Sequence, residues 1–312
     1  MYRLRESSLA AANKTHPLIQ IQQLSKRYAR SAEYALRDVS VNVYPGDYVG
    51  LIGANGSGKT TLIKLVVNFL RPTSGQILIE GTSNLEAEKR RLGYVPEIQE
   101  GLENFTPQEL LTLAGRLSGL SAHQAWRRCQ ELLAFIGLED QKEELLAGFS
   151  KGMIQRVQLG IALVHQPDIL LLDEPLSGLD PDGQRQMLNL LQALPARAML
   201  YASHRLEAVE QLCNRVLVLR NGQLAAEIGG EDLKKSIFLL QAPLQAAQVL
   251  KGFAQLKWEI APRSEQEAEF QLLSDGEAFQ TVLATLKEQG IPVRRIRSRS
   301  ILEHYYLKYV QQ

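Results

Sequence analysis

The chain has few cysteines, the residues that cross-link many secreted proteins and bind zinc. Its 312 residues include only two cysteines, Cys129 and Cys213, which are far apart and lack CxxC spacing. A disulfide framework or a cysteine-based zinc site is therefore not expected. Two isolated cysteines are typical of a protein that works in a reducing compartment, so we expect the cytoplasm.

Long apolar runs are also missing. No segment approaches the roughly 20 apolar residues that a membrane helix needs. Residues 1–16, which we interpret as an N-terminal extension, lack the apolar centre of a signal peptide. If the protein acts at a membrane, we expect a partner to bring it there.

Neither sign of charge is in excess. The sequence holds 35 Lys and Arg against 34 Asp and Glu, a net charge of +1. Nucleic-acid-binding domains usually carry a basic excess, so no nucleic-acid partner is expected. A hydrophobic share of 45% indicates a globular chain, and the length favours one large domain with a smaller one attached.

Apolar periodicity divides the chain into three regions. Short apolar or alternating runs predict strands at 18–24, 39–43, 48–52, 76–80, 169–172, 199–202 and 216–219. Residues 102–165 instead have a helical period, with helices predicted at 107–117 and 122–136, and we interpret them as an inserted helical subdomain. These elements predict an α/β domain over 17–240. The order strand, strand, helix, strand, helix then predicts a small α+β accessory domain over 241–312.

The strongest motif is a glycine-rich loop between the strand at 48–52 and an apolar helix. Residues 53–60 (GANGSGKT) fit GxxxxGK[ST]. Glycines let backbone N–H groups converge on phosphate oxygens, and the helix N-terminus adds positive potential. We predict that ATP phosphates contact Gly53, Asn55, Gly56, Ser57, Gly58, Lys59, Thr60 and Thr61. Lys59 would reach the terminal phosphates and the Thr60 hydroxyl would hold Mg²⁺. The alternative is a glycine-rich turn that only caps a helix.

Two carboxylates follow the apolar strand at 169–172. Ligands of parallel sheets gather at the carboxyl ends of strands, which is where Asp173 and Glu174 are expected. Asp173 would hold Mg²⁺ through water, and Glu174 would act as the general base toward an attacking water. Alone, this segment fits a strand that runs into a turn equally well; the phosphate loop favours the functional interpretation.

These motifs and those around them resemble the ABC ATPase family over about residues 18–230. The similar segments are Gly93 to Glu97 (Q-loop), Phe149 to Met153 (signature), Leu172 to Pro175 (Walker B), Leu176 to Asp180 (D-loop) and Tyr201 to His204 (switch histidine). Tyr28 stands where the family has an aromatic residue that stacks on adenine. The resemblance implies a P-loop NTPase core with an antiparallel β subdomain and an inserted helical subdomain.

The resemblance also implies roles for these residues. Tyr28 would stack on adenine, and His204 would hydrogen-bond the γ-phosphate. Ser150 and Gly152 would contact the γ-phosphate held by a second subunit, and Asp180 would lie at that dimer interface. Simpler interpretations are a partly buried loop tyrosine for Tyr28 and a helix N-cap for Ser150.

Two positions depart from the family pattern. Met153 replaces the last glutamine of the signature, and Glu97 replaces the Q-loop glutamine. Glu97 still offers an oxygen ligand to Mg²⁺, with an added negative charge. Both changes, with the segment from Ser300 to Tyr306, resemble a branch of the family that serves exporters with six-helix permeases.

The resemblance thus implies the ATP-hydrolysing subunit of an ABC exporter, with ATP and Mg²⁺ as ligands. It would act as a homodimer or paralogous heterodimer on an integral membrane permease, at the inner face of the cell membrane. The alternatives are a soluble ABC-type ATPase acting on DNA or ribosomes and a P-loop kinase. Separately, alternate arginines at 294–299 are expected to form a solvated strand face rather than a nucleic-acid or lipid-headgroup site.

Overall fold

The structure is a computed structural model that describes residues 16–29, 31–97, 101–194, 196–253, 256–264 and 266–310. The chain divides into two compact units, one up to Glu227 and one from Ile228. This division precedes the domain boundary expected from sequence at residue 240. The reason is that Ser236–Pro243 is a strand of the second unit, where it pairs with two other strands. All but the last residue of the predicted N-terminal extension lies outside the described residues.

The α/β class predicted from sequence is confirmed by the element order. The strands are β1 Ile19–Arg27, β2 Tyr34–Val43, β3 Tyr48–Ile52, β4 Ser74–Ile79, β5 Leu92–Val95, β6 Ile169–Asp173, β7 Ala198–Ala202, β8 Arg215–Arg220, β9 Gln223–Gly229, β10 Ser236–Pro243, β11 Lys257–Pro262, β12 Glu267–Ser274 and β13 Arg295–Ser300. The α-helices are α1 Lys59–Val66, α2 Leu85–Glu88, α3 Pro107–Leu117, α4 Ala122–Ile136, α5 Lys151–Leu163, α6 Pro181–Gln192, α7 Leu206–Leu212, α8 Ala246–Lys251, α9 Gly276–Glu288 and α10 Ile301–Tyr309.

A six-stranded sheet forms the centre of the first unit, in the order β5-β6-β7-β3-β8-β9. The pairs β5–β6, β6–β7, β7–β3 and β3–β8 are parallel. Every residue of β6 and β7 is buried, which explains their continuous apolar sequences. A separate antiparallel sheet, β2-β1-β4, shares one hydrophobic core with α1 and the larger sheet. The parallel strands thus end at one common edge.

Two helices of the helical region, α3 and α4, begin at capping boxes. Thr106 caps α3 together with Glu109, and Ser121 caps α4 together with Gln124. Each pair satisfies two backbone N–H groups that the first helical turn leaves free. The bounds of α3 and α4 match the helices predicted from sequence.

The second unit is a four-stranded antiparallel sheet in the order β11-β12-β10-β13. Its connections follow the βαββαβ pattern, with α8 after β10 and α9 after β12. Leu240 and Phe270 pair across strands and belong to the hydrophobic core that includes residues of α8 and α9. Successive side chains of a strand point to opposite faces, so neighbours of Leu240 in the strand belong to the other face of the sheet.

Among the residues that the structure describes, no helix combines the length and the apolar character needed to span a bilayer.

Candidate functional site

The glycine-rich loop joins β3 to α1, and two of its glycines have no room for a side chain. A Cβ on Gly53 would lie 2.4 Å from the carbonyl oxygen of Leu219, and a Cβ on Gly58 would lie 2.6 Å from that of Ala35. Gly58 also has a φ of 107°, a region that side chains disfavour. The backbone itself therefore forms the wall of the loop, as phosphate binding through N–H groups requires.

Lys59, the first residue of α1, is held inside this loop. Its Nζ donates to the carbonyl oxygens of Gly53 at 2.8 Å and Ala54 at 3.1 Å, and only 7% of the residue is exposed. Burial lowers the pKa of this amine, while the negative charges of Glu174, Asp173 and Glu97 raise it. The ammonium is thus fixed at the centre of an acidic cluster.

The rest of the loop surrounds this lysine. The Ser57 hydroxyl oxygen is buried and has no hydrogen-bond partner in the described part of the chain. Asn55 and Gly56 are exposed at the tip of the loop. A buried hydroxyl without a partner is costly, so it indicates a site that a polar ligand completes.

The Thr60 hydroxyl donates to Asp173 Oδ1 at 3.0 Å, which joins the loop to the end of β6. Asp173 is 1% exposed, and burial raises its pKa although the Thr60 hydrogen bond opposes that shift. Both residues and Glu97 line one cavity of about 450 Å³. Hydroxyl and carboxylate oxygens are the ligands that Mg²⁺ prefers, so this set fits a magnesium ion shared with phosphate.

Glu174 is buried beside Asp173 in an unusual backbone conformation. Its φ is 49°, and its N–H donates to the carbonyl oxygen of Ala202 at 2.9 Å. His204 Nδ1 lies 2.9 Å from Glu174 Oε1, and the Ser203 hydroxyl donates to Oε2 at 3.3 Å. Left-handed conformations of non-glycine residues are strained, and strain of this kind clusters at functional sites. Two donors from the end of β7 therefore fix the carboxylate.

Ser203 was not singled out from sequence. It is completely buried, and its oxygen accepts the N–H of Arg205 at 3.1 Å while its hydroxyl donates to Glu174. The available signal was its position, since it precedes His204 at the end of a buried strand. Strand alternation alone does not reveal which carboxylate such a hydroxyl contacts.

Tyr28 lies beside α1. Its hydroxyl is 3.3 Å from Thr61 Oγ1, and Lys26 Nζ lies 5.5 Å from the ring centroid. The residue is 42% exposed. An accessible aromatic ring is therefore present next to the helix that follows the phosphate loop.

Ser150, Gly152 and Asp180 lie at two neighbouring helix N-termini. The Ser150 hydroxyl accepts the N–H of Met153 at 3.3 Å and caps α5. Asp180 Oδ1 accepts the N–H of Gly183 at 3.1 Å and caps α6. A Cβ on Gly152 would lie 3.9 Å from the Cα of Gly183, so the two helix starts are adjacent.

The structure thus brings one group of the predicted residues together and leaves another apart. Lys59, Thr60, Asp173, Glu174 and His204 are linked by hydrogen bonds or charge, and Glu97 shares their cavity. Within the described ranges, no hydrogen bond or ion pair joins Ser150, Gly152 or Asp180 to the phosphate loop. The linked group can bind phosphate and hold a carboxylate ready to accept a proton.

Comparisons with known proteins identify the family. The family model described as "ABC transporter" matches residues 36–177. The uncharacterized ABC transporter ATP-binding protein YxlF of Bacillus subtilis is 34% identical over 298 residues, which are 94% of this chain and 99% of that protein. The Nod factor export ATP-binding protein I of Burkholderia thailandensis is 35% identical over 257 residues, which are 80% and 82% of the two chains.

A solved structure shares the fold over most of the chain. It is the dimeric post-hydrolysis state of the ATP-binding cassette MJ0796, bound to ADP and Pi. It superposes with a TM-score of 0.63 at 24% identity, over 68% of this chain and 98% of that one. The phosphate loop, the acidic strand end and a relative matched along almost its whole length lead to one assignment: the chain belongs to the family of ABC transporter ATP-binding proteins.

Proposed function

We propose that this ATP-binding subunit hydrolyses ATP with Mg²⁺, and that ATP-driven pairing of two copies drives a separate membrane permease. The observation that carries the proposal is the fixation of Glu174 by His204 and Ser203, next to Lys59 and the Thr60–Asp173 pair. A phosphate site alone would support binding. A buried carboxylate with fixed orientation beside that site supports hydrolysis.

Binding would use the loop backbone first. The N–H groups of residues 53–60 and the N-terminus of α1 would surround the β-phosphate, and Lys59 would reach the terminal phosphate. Thr60, Asp173 and Glu97 would hold Mg²⁺. The ion would neutralise negative charge on the two terminal phosphates.

Glu174 would activate the water. A carboxylate has about four acceptor sites, so Glu174 retains capacity for a water after accepting from His204 and Ser203. The water oxygen attacks the γ-phosphorus, its proton passes to Glu174, and the bond from phosphorus to the ADP oxygen breaks. His204, with its side chain 48% exposed, would donate to the γ-phosphate and keep the water in line.

Pairing of two copies would complete each site. Ser150 and Asp180 are exposed, and Ser150 and Gly152 lie at a helix N-terminus, where anions bind well. A γ-phosphate contacted from both copies would favour the closed pair, and its hydrolysis would remove that link. The cassette that shares this fold was solved as a dimer, which supports the proposal.

Export is the direction that we propose. One relative is named for Nod factor export, and Glu97 and Met153 follow the exporter-type pattern. The alternative of a soluble ATPase acting on DNA or ribosomes is not favoured, since the relatives are named as transporter subunits.

The permease partner can be tested by co-purification. We expect the tagged chain, isolated from detergent-solubilised membranes of its native host, to carry an integral membrane protein with about six predicted spans. Adding that protein in liposomes should raise ATP turnover. Recovery of ribosomal or DNA-processing proteins instead, with no integral protein at stoichiometric level, would contradict the transport role.

A further inference from the structure

The face of the four-stranded sheet opposite α8 and α9 contains a small cavity, which we call the arginine cavity. Its volume is about 190 Å³. It is lined by Leu239, Gln241, Arg263, Glu269, Arg295 and Arg297. That volume corresponds to about six liquid waters, enough for one phosphate group with some hydration but not for a nucleotide.

Strand register explains why these arginines meet on one face. Arg295 pairs with Gln241 and Arg297 pairs with Leu239 across β13 and β10. On the other side of β10, Gln241 pairs with Glu269 of β12. Directly paired residues share a face, so the two arginines lie over a neutral row of β10 and not over carboxylates.

The arginine cavity carries an excess of positive charge. Arg263 is paired, since its Nη2 donates to Glu269 Oε2 at 2.7 Å. Arg295 and Arg297 have no ion pair or side-chain hydrogen bond within the ranges that the structure describes, and both are exposed. Three guanidinium groups therefore face one carboxylate. In the sheet formed by the described residues, β13 is the edge strand, so no strand beyond it neutralises them.

We propose that the arginine cavity binds a phosphate dianion. The guanidinium group offers a planar fork of donors that matches phosphate oxygens, and such charge-assisted bonds are the strong ones. Arg295 and Arg297 stand two residues apart on one strand, about 6.6 Å along the chain, so both can reach a single anion. Glu269 holds Arg263 in the wall of the cavity.

The same chemistry has two sources, a soluble phosphorylated compound or the phosphate headgroup of a lipid. This inference does not depend on the proposed transport cycle, because none of the residues belongs to the nucleotide site. It goes beyond the expectation of a solvated strand face, because both arginines of β13 and Arg263 line one cavity.

The test uses the full-length chain with saturating Mg²⁺ and a non-hydrolysable ATP analogue, so that the γ-phosphate position of the phosphate loop is also filled. Two probes are compared: inorganic phosphate by calorimetry, and vesicles with or without phosphatidic acid by flotation. We expect at least one probe to bind, and R295Q and R297Q each to weaken that binding about tenfold, the usual worth of one charge-assisted hydrogen bond. If only inorganic phosphate binds, the ligand is a soluble compound. If only the vesicles with phosphatidic acid bind, the ligand is a lipid.

Matched variants distinguish binding in the arginine cavity from nonspecific attraction of anions by the positive charges of β13 and its neighbours. R294Q removes the same charge one residue away, where Arg294 pairs with Glu267 at 2.7 Å, and should change binding less than twofold. E269Q removes the carboxylate among the lining residues and should tighten binding. Basal ATP turnover should be the same in all of these variants, which verifies folding. Absence of binding for both probes, or equal loss in R294Q and R297Q, would overturn the proposal.

Discussion

Asp173, Glu174 and Lys59 are buried near the carboxyl edge of the six-stranded sheet, whereas Arg295 and Arg297 are exposed on the face of the four-stranded sheet opposite α8 and α9. Their exposed fractions are 1% for Asp173 and 7% for both Glu174 and Lys59. Lys59 donates to the loop after β3, whereas Asp173 accepts from Thr60 of α1 and Glu174 accepts from Ser203 after β7. Arg295 and Arg297 lie over neutral neighbours on an edge strand. Charged side chains thus occur in a buried environment at the first site and in an exposed environment at the second.

Burial explains the difference. A buried charge loses its water, so it persists only where several groups compensate it, and the surrounding structure then fixes its position. Such a site suits chemistry that needs oriented groups. An exposed guanidinium keeps its water and mobility, so it suits reversible binding of an anion. The following predictions test whether the nucleotide site depends on this preorganisation.

The largest effect is expected for Glu174→Gln. The amide keeps the shape but no longer accepts a proton, and loss of a general base usually lowers turnover about 10²- to 10⁴-fold. ATP binding should persist, and a stable pair of copies should accumulate with Mg²⁺ and ATP. Phosphate release and gel filtration measure both results. Exposed Glu207 on α7 supplies the control, since Glu207→Gln should turn over normally; undiminished turnover in Glu174→Gln would refute the assigned base.

Lys59→Ala should weaken ATP binding about 30-fold or more, because truncating a buried charged partner costs about 2–5 kcal/mol. The variant leaves the acidic cluster of Asp173, Glu174 and Glu97 without its ammonium group. Titration with a fluorescent ATP analogue measures the dissociation constant. Lys251→Ala, at an exposed position in the second unit, should bind as the parent does, and equal affinity in both variants would contradict the phosphate-loop assignment.

Sequence predicted the elements whose signals are local. The capping residues Thr106 and Ser121 are close in sequence to the partners that complete their caps, so the starts of α3 and α4 were readable. The phosphate loop is likewise one continuous motif. The acidic strand end was readable because β6 is buried on both faces and is therefore continuously apolar.

Features that depend on contacts between residues distant in sequence could not be predicted from the sequence. β10 has adjacent apolar residues without clear alternation, and its place at the centre of the second sheet depends on pairing with β12 and β13. The division of the chain at Ile228 therefore lies before the boundary expected at residue 240. The contact between Ser203 and Glu174 spans 29 residues, and only the folded sheet brings the two strand ends together.

Ser203→Ala should lower kcat about tenfold with little change in KM, since losing one buried hydrogen bond to a charged group costs about 1.5 kcal/mol or more. Without the hydroxyl, Glu174 Oε2 and the N–H of Arg205 lose a partner, and the carboxylate loses one of the two donors that orient it. Ser203→Thr retains the hydroxyl and should recover most of kcat. Equal activity of the alanine and threonine variants would remove Ser203 from the mechanism.

The smallest predicted effect is a change in the free energy of unfolding. This prediction compares the nucleotide site with the arginine cavity. Burial raises the pKa of Asp173 above its usual 3.8, so ionised Asp173 destabilises the nucleotide-free fold at neutral pH. Asp173→Asn removes that cost and keeps an oxygen that accepts from Thr60. It should raise the free energy of unfolding by about 1 kcal/mol, as substitutions that relieve strained functional sites do.

The sign of the pH dependence distinguishes this explanation from better packing. A raised pKa means that the folded state binds the proton more tightly, so the cost of Asp173 falls as the pH drops through its raised pKa. The advantage of Asp173→Asn should therefore be largest at neutral pH and shrink toward pH 3.8 in urea unfolding with EDTA present. Exposed Arg297→Gln should change stability by less than about 0.5 kcal/mol at either pH, because its charge is already solvated. Two results would contradict this explanation: no increase in the free energy of unfolding of Asp173→Asn at neutral pH, or an equal increase in acid. In either case, burial would not explain the difference between the nucleotide site and the arginine cavity.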